Sequence, residues 1–370
     1  MAMHNIDVDG AVQRITEKME WVSERSKDKI PYKTVNGVHD DLSRSDINWW
    51  TNGFWSGIQW LLYHETGSQK HADIAREAER KLDRCFEEYY GIHHDAGFMW
   101  LLSAAADYRL TGDPLARKRA LHAANLLAGR FNPAGNFIRA WNGTDNSGWA
   151  IIDCMMNLAL LYWASEETGD PRFREIAMRH ADMAAKCFVR PDGSAKHIVV
   201  FDPVSGEMLE ELGGQGYAKG TSWTRGQAWG LYGFMISWKH TNRKVYLETA
   251  KKIADYFSSQ IPESGLIPVD FCQPETPRLE DSMAAAIAAG GMIELSRELG
   301  EDGEQYLDAA KKMLDALLTE RCCWTKDSDG ILERCTAAYH NQEKETNIIY
   351  GDYFLIEAVL KLKGNDVFLW

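Results

Sequence analysis

The chain has 370 residues, 45% hydrophobic and 26% charged, with a formal net charge of -13. That balance is ordinary for a soluble globular protein, and without a Lys/Arg run it excludes nucleic acid and anionic membrane surfaces as partners. No run of 18 apolar residues predicts a membrane span, and residues 1–10 lack the basic and apolar regions of a signal peptide. The seven cysteines are scattered and odd in number, and Cys322-Cys323 has no zinc-ligand spacing, so reduced thiols in a cytoplasmic protein are expected.

Hydrophobic periodicity predicts helices throughout. A weak repeat marks their junctions: Glu65-Thr66-Gly67-Ser68, Leu110-Thr111-Gly112-Asp113-Pro114, Glu167-Thr168-Gly169-Asp170-Pro171, His240-Thr241-Asn242 and Leu299-Gly300-Glu301-Asp302. At each, Gly or Asn closes one helix and Asp or Ser opens the next. The helices following these junctions, over 71–82, 116–128, 173–188, 245–257 and 306–318, are amphipathic, as is one over 12–24. A second set, over 53–63, 98–108, 151–164, 226–239, 282–298 and 350–362, is apolar on nearly every face, as in helices buried on both sides. Alternation of inner and outer helices predicts six helical hairpins in a closed ring, an all-α (α/α)6 barrel. An open solenoid is the alternative, against which the uneven repeat spacing argues. No linker divides the chain, so residues 1–370 are read as one domain. The long segment 189–221 is the exception to helicity, with short strands expected over 196–201, and connections of that length are usually functional.

Unusual residues cluster where the inner helices begin. Trp50 precedes the first, His94 and Asp95 the second, and Trp141 and Asp153 flank the third. Ser222-Trp223-Thr224-Arg225-Gly226-Gln227-Ala228-Trp229-Gly230 opens the fourth, Glu280-Asp281-Ser282 the fifth and Tyr350-Gly351-Asp352-Tyr353 the sixth. Indole faces stack on sugars and an Arg fork matches a carboxylate, so the fourth segment predicts a pocket for an acidic sugar. Fourteen tryptophans agree with a carbohydrate-active protein, though a large core could also use them. Trp50, Trp141 and Trp229 are the stacking candidates, and Trp49, Trp55 and Trp60 read as core. Asp153 sits among apolar neighbours and reads equally as a helix cap or as a general acid raised by burial. Asp95 has the same two readings. Two acids opening neighbouring inner helices would share a cavity, which favours catalysis. His94 and His197 lack the spacing of a helical metal site, leaving hydrogen bonding to a ligand or a satisfied core histidine.

These residues resemble glycoside hydrolase family 88, the unsaturated glucuronyl hydrolases. The resemblance rests on Trp50-Thr51-Asn52-Gly53-Phe54-Trp55-Ser56-Gly57, His93-His94-Asp95, Ile152-Asp153-Cys154, Phe201-Asp202-Pro203, Trp223 to Gly230 and Gly351-Asp352-Tyr353, which run in family order through nearly the whole chain. It implies an (α/α)6 barrel with neither metal nor cofactor. The implied activity removes a 4,5-unsaturated uronic acid from the non-reducing end of lyase-generated di- or oligosaccharides, with C4 protonated and water added at C5. Asp153 matches the family's acid/base and Asp95 its second carboxylate. Trp50, His94, Trp141, His197, Gln215, Trp223, Arg225 and Trp229 match residues around the sugar, with Arg225 expected on its carboxylate. The sequence departs from relatives at Leu212-Gly213-Gly214-Gln215, which has glycine where others carry polar side chains, and in a shorter segment 339–346. Other readings are an unsaturated rhamnogalacturonyl hydrolase acting on pectin fragments, a sugar 2-epimerase and a non-catalytic carbohydrate-binding protein. A monomer or weak homo-oligomer is expected.

Overall fold

The computed structural model of the chain describes residues 6–370. Twelve principal helices carry the fold: α1 Val8–Ser26, α2 Phe54–Thr66, α3 Gln69–Glu88, α4 within 96–111, α5 Pro114–Ala128 and α6 Cys154–Thr168. They continue as α7 Pro171–Cys187, α8 Thr224–Thr241, α9 Lys244–Gln260, α10 Ser282–Leu299, α11 Glu304–Glu320 and α12 Ile349–Lys363. Helix α4 is irregular: Ala96–Trp100 and Ala106–Thr111 are joined by a π-helical turn, Leu101–Ala105. The protein is therefore mostly helical with a few short strands.

The junction motifs work as capping chemistry predicts. Gly67, Gly112, Gly169 and Asn242 close their helices in the left-handed conformation. Asp113 and Asp170 then cap the next helix through their side chains, each with proline in its first turn. Each even-numbered helix is apolar on nearly all sides. In α6 every residue from Cys154 to Ser165 is buried. The partner helices bury one stripe only; α7 buries Phe173, Ala177, His180, Ala181, Met183 and Ala184.

Packing follows this division. Helix pairs α2–α3, α4–α5, α6–α7, α8–α9, α10–α11 and α12–α1 lie against one another. The even-numbered helices also pack in succession, α2 on α4, α4 on α6, α6 on α8, α8 on α10 and α10 on α12, and α12 returns to pack on α2. Apolar burial drives this, at about 1.5–3 kcal/mol per large buried side chain. At one end of the bundle Trp370 stacks on Phe354, with centroids 5.6 Å apart, and donates to Glu357 at 2.6 Å. The buried Lys361–Glu294 pair lies nearby at 2.7 Å.

The strand expected over 196–201 is present as Ile198–Phe201, paired antiparallel with both Trp149–Ile151 and Met208–Leu212. The helix expected from residue 151 instead starts at Cys154, because 149–151 belong to this sheet. All seven cysteines are free thiols. Among the described residues no helix is long and apolar enough to cross a membrane.

Candidate active site

The short sheet and the start of α6 bring Asp153 to His197. The Ile151–Ile198 register is followed by an Ile152 N–H bond to the His197 carbonyl at 3.0 Å. This leaves His197 Nε2 3.7 Å from Asp153 Oδ1, beyond hydrogen-bond length. The His197 tautomer is fixed from its other side, where Nδ1 accepts the Gln215 N–H at 3.0 Å and so places the proton on Nε2. Gly214 makes this approach possible. Its φ is +58, and a Cβ there would lie 1.9 Å from His197 Nδ1, so the absence of a side chain at this position seats the imidazole.

Asp153 occupies the cap position of α6, yet its side chain makes no capping bond. The cap reading of the sequence therefore gives way to a free carboxyl. Its Oδ1 is buried without a hydrogen-bond partner. Burial, and then the charge of Asp95, push its pKa up to about 7 against the pull of Arg225.

Asp95 is the opposite case. It also stands at a helix cap without capping, at the start of α4. Its carboxylate receives Asn157 Nδ2 at 3.0 Å, with His93 Nδ1 at 3.1 Å and His94 Nε2 at 3.3 Å. Burial alone would raise its pKa, but the adjacent His94 and the bonds from both imidazoles hold it well below the usual carboxylate range. Donor atoms of His93, His94 and Asp95 all lie within 4.8 Å of one another, a spacing a metal could use. The two imidazoles bonded to one carboxylate account for the same grouping.

The structure adds Asn157 and His93 to the candidate site; the sequence reading did not single out Asn157 and named His93 only within His93-His94-Asp95. Asn157 lies one turn into α6 and links the two acids: Nδ2 reaches the Asp95 side chain and, at 3.3 Å, the Asp153 carbonyl. Its Oδ1 accepts the Phe98 N–H at 2.7 Å, fixing α4 against α6. Its signal in the sequence is faint, an amide within an otherwise apolar helix. His93 adjoins His94, so the pair of histidines was visible but its shared target was not.

The fourth segment forms the other wall. Trp223 lies over His197 at 4.2 Å between ring centroids and over the Arg225 guanidinium at 4.7 Å. Arg225 is only 1% exposed. It pairs with buried Asp281 and donates to the Thr336 carbonyl at 2.9 Å and to the Ala337 carbonyl. Asp281 holds it charged although burial opposes this. The expected carboxylate clamp is thus already bonded through three of its five N–H donors. Nε–H and one Nη2–H remain. Gln215 does not point its amide at Asp153; Nε2 donates to the Ala337 carbonyl at 2.7 Å. Asp270 stabilises the loop between them, accepting from Tyr217 N, Thr221 Oγ1, Ser222 N and Cys272 N.

The stacking candidates divide by exposure. Trp50 and Trp141 are partly buried. Trp229 is wholly buried, with Phe98, Phe354 and Tyr350 around it, because its place in the first turns of α8 faces the bundle interior. It supports the site from beneath. Trp50 packs at 4.9 Å from Tyr350, whose ring in turn lies beneath Arg225 at 5.8 Å. Trp55 and Trp60 are core, as expected. Four buried nitrogens of the predicted site residues lack protein partners, His94 Nδ1, His197 Nε2 and the indole nitrogens of Trp223 and Trp229. Burial lowers the pKa of both histidine rings, that of His197 to about 3, so both imidazoles are neutral at physiological pH.

Known proteins are similar to this chain. The chain is 37% identical over 357 residues to unsaturated glucuronyl hydrolase of Bacillus sp. (strain GL1), spanning 93% of each chain. It is 30% identical to unsaturated chondroitin disaccharide hydrolase of Streptococcus pneumoniae, spanning 98% of this chain and 94% of that one. The solved unsaturated glucuronyl hydrolase of Streptococcus agalactiae superposes with a TM-score of 0.90 at 30% identity, over 98% of this chain and 93% of that one. The pattern of Glycosyl Hydrolase Family 88 matches residues 22–362, and this chain belongs to that family.

Proposed function

We propose that the protein is an unsaturated glucuronyl hydrolase that releases a 4,5-unsaturated uronic acid from the non-reducing end of glycosaminoglycan-type di- or oligosaccharides. The observation that carries this reading is the division of labour between two coupled acids. Asp153 keeps its proton to about pH 7, while Asp95 stays ionised. A protonated carboxyl beside a fixed anion whose charge it feels suits hydration of an enol ether.

Asp153 gives its proton to C4 of the C4=C5 bond, and positive charge develops at C5 and the ring oxygen. Asp95, weakly basic but anionic, stabilises that charge. The Asp153 carboxylate, with its higher pKa, is the better base and takes the proton of the water that adds at C5. The hemiketal then opens and the saturated sugar leaves. Nε–H and the remaining Nη2–H of Arg225 hold the substrate carboxylate. His94 Nδ1 accepts from a sugar hydroxyl and His197 Nε2–H donates to one. Trp50 and Trp141 flank the flattened ring, with Trp223, Gln215 and Trp229 supporting these contacts.

The chain of helix contacts, in which α12 returns to α2, supports a closed (α/α)6 barrel with the site at one mouth. Residues 1–370 act as one catalytic domain, a cytoplasmic monomer or weak homo-oligomer without cofactor or nucleic-acid partner. The test follows ultraviolet absorbance of the conjugated C4=C5 acid with chondroitin, hyaluronan, heparin and pectin lyase products. Absorbance should fall with the first three classes or some of them. Loss with pectin fragments alone would transfer the assignment to the rhamnogalacturonyl enzymes, and no loss with any would end it. Asp153→Asn should abolish turnover and keep binding; near wild-type rate would remove Asp153 from the acid role.

A further inference from the structure

One cleft on the described surface does not lie over the two acids. It is a volume of about 890 Å³ beside them, between the turn at 89–92, the end of α5 and the loop 139–147. Its wall and the catalytic wall share a peptide. The Ala140 carbonyl accepts the His94 N–H at 3.1 Å on one side and Arg130 Nη2 at 3.0 Å on the other. Arg130 also lies close enough to Asp95 for their charges to interact.

Two guanidiniums line this cleft, Arg130 and Arg139, near enough to repel each other. Among the described residues neither has an ion-pair partner. Arg130 donates only to neutral acceptors: the carbonyls of Ile92, Ala140 and Arg139 and the Asn142 side chain. Arg139 bonds the Gly143 carbonyl and Asn146 Oδ1, while its Nε is buried without a partner. Acids outnumber bases 54 to 41 in this chain, so two neighbouring guanidiniums without an ion-pair partner are costly and call for an anion. Beside them Tyr89 and Tyr90 are 63% and 70% exposed, which offers sugar-stacking surface. The Tyr90 hydroxyl bonds the Asn142 carbonyl at 2.9 Å, linking the aromatic rim to the basic wall.

We propose that this cleft is a second saccharide site, which holds a carboxylate- or sulfate-bearing sugar of a longer substrate through Arg139 and Arg130, with Tyr90 under the ring. The proposal rests on the activity assigned above. A cleft of this size falls within the range for small-molecule sites and fits a sugar unit with its acidic group. Its position next to His93–Asp95 and Trp141 puts it on the path of a chain leaving the catalytic pocket. On this proposal a disaccharide ends before reaching it.

The test compares unsaturated di- and tetrasaccharides on wild type, Arg139→Gln and Tyr90→Ser. For the tetrasaccharide, KM should rise roughly tenfold in either variant with kcat unchanged, as expected for loss of one charge-assisted bond or one stacked ring. Both constants for the disaccharide should stay at wild-type values. Equal changes on both substrates, or none on the tetrasaccharide, would overturn the site. Tyr90 is exposed, so Tyr90→Ser reads the cleft even where Arg139→Gln misfolds. Should wild type turn over neither substrate, the activity falls, and calorimetry with a saturated uronate tetrasaccharide decides the cleft separately. Binding lost in the variants supports it; equal binding by wild type and variants, or equal binding of a neutral tetrasaccharide, refutes it.

Discussion

At the scale of single residues, two aspartates of the same chemistry are driven apart by their partners. Asp95 collects hydrogen bonds from His93, His94 and Asn157, whereas Asp153 faces His197 across 3.7 Å and keeps an unbonded oxygen. Activity requires the Asp153 proton, so kcat/KM should be flat below pH 7 and fall tenfold per unit above it. A pH–rate profile checks this, and a basic limb two units higher would assign it to another group. The same shift acts on stability. Between about pH 3.8 and 7 the folded chain holds the Asp153 proton that the unfolded chain has lost, so stability falls as pH rises through that window, by about 1.4 kcal/mol per unit. Asp153→Asn removes this penalty. It should be more stable than wild type by roughly 4 kcal/mol at pH 8 and equal to it near pH 3, as read by denaturant titration at both pH values. An unchanged difference between the two would show that Asp153 is not held protonated.

At the scale of elements, much of the fold was legible because its signals are local. Thr-Gly-Asp-Pro writes the end of one helix and the cap of the next into adjacent residues, and all-round apolarity marks the inner helices. The start of α6 was misplaced because Trp149–Ile151 is apolar in either a strand or a helix; only the partner strand at 198–201 decides. The site was legible where cues adjoin, as in His93-His94-Asp95, and hidden where partners are distant. Arg225 meets Asp281 across 56 residues, and Asn157 reaches Asp95 across 62. The α4–α6 contact that carries this last bond depends on Gly97. A Cβ there would lie 2.5 Å from Asn157 Cα and 2.6 Å from its Oδ1, contacts that require backbone to move. Gly97→Ala should therefore lose about 1–3 kcal/mol despite alanine's better helix propensity. It should also lower kcat by displacing the amide that holds Asp95. Gly129→Ala, where the nearest atom is 3.4 Å away, is the control and should change neither. Thermal unfolding and kcat on the same samples check both, and a neutral Gly97→Ala would refute the close packing.

At the scale of the molecule, the two ends of the bundle differ in how densely their charged groups are bonded to one another. Around Asp153, buried nitrogens and a carboxyl oxygen are left without partners, an arrangement that costs stability and suits binding. At the other end, Lys361, Glu294, Lys239, Arg297 and Asp366 bond one another, and Glu357 accepts from both Tyr232 and Trp370. An aromatic core joins the ends: Phe98 touches Trp50 and Trp229 on the site side and Trp370 on the other. Stability should therefore reside at the Trp370 end and chemistry at the Asp153 end. Trp370→Ala removes the stack on Phe354 and leaves Glu357 Oε1 with only the long 3.4 Å bond from the Tyr353 hydroxyl, for a loss of about 3–5 kcal/mol. Below the lowered Tm, kcat and the pH profile should match wild type, since no bond from Trp370 reaches either acid. His94→Ala should do the reverse, lowering kcat/KM with a smaller change in Tm. Parallel losses of Tm and kcat in Trp370→Ala would mean that the aromatic core transmits strain from one end to the other, and that the two ends are not energetically separate.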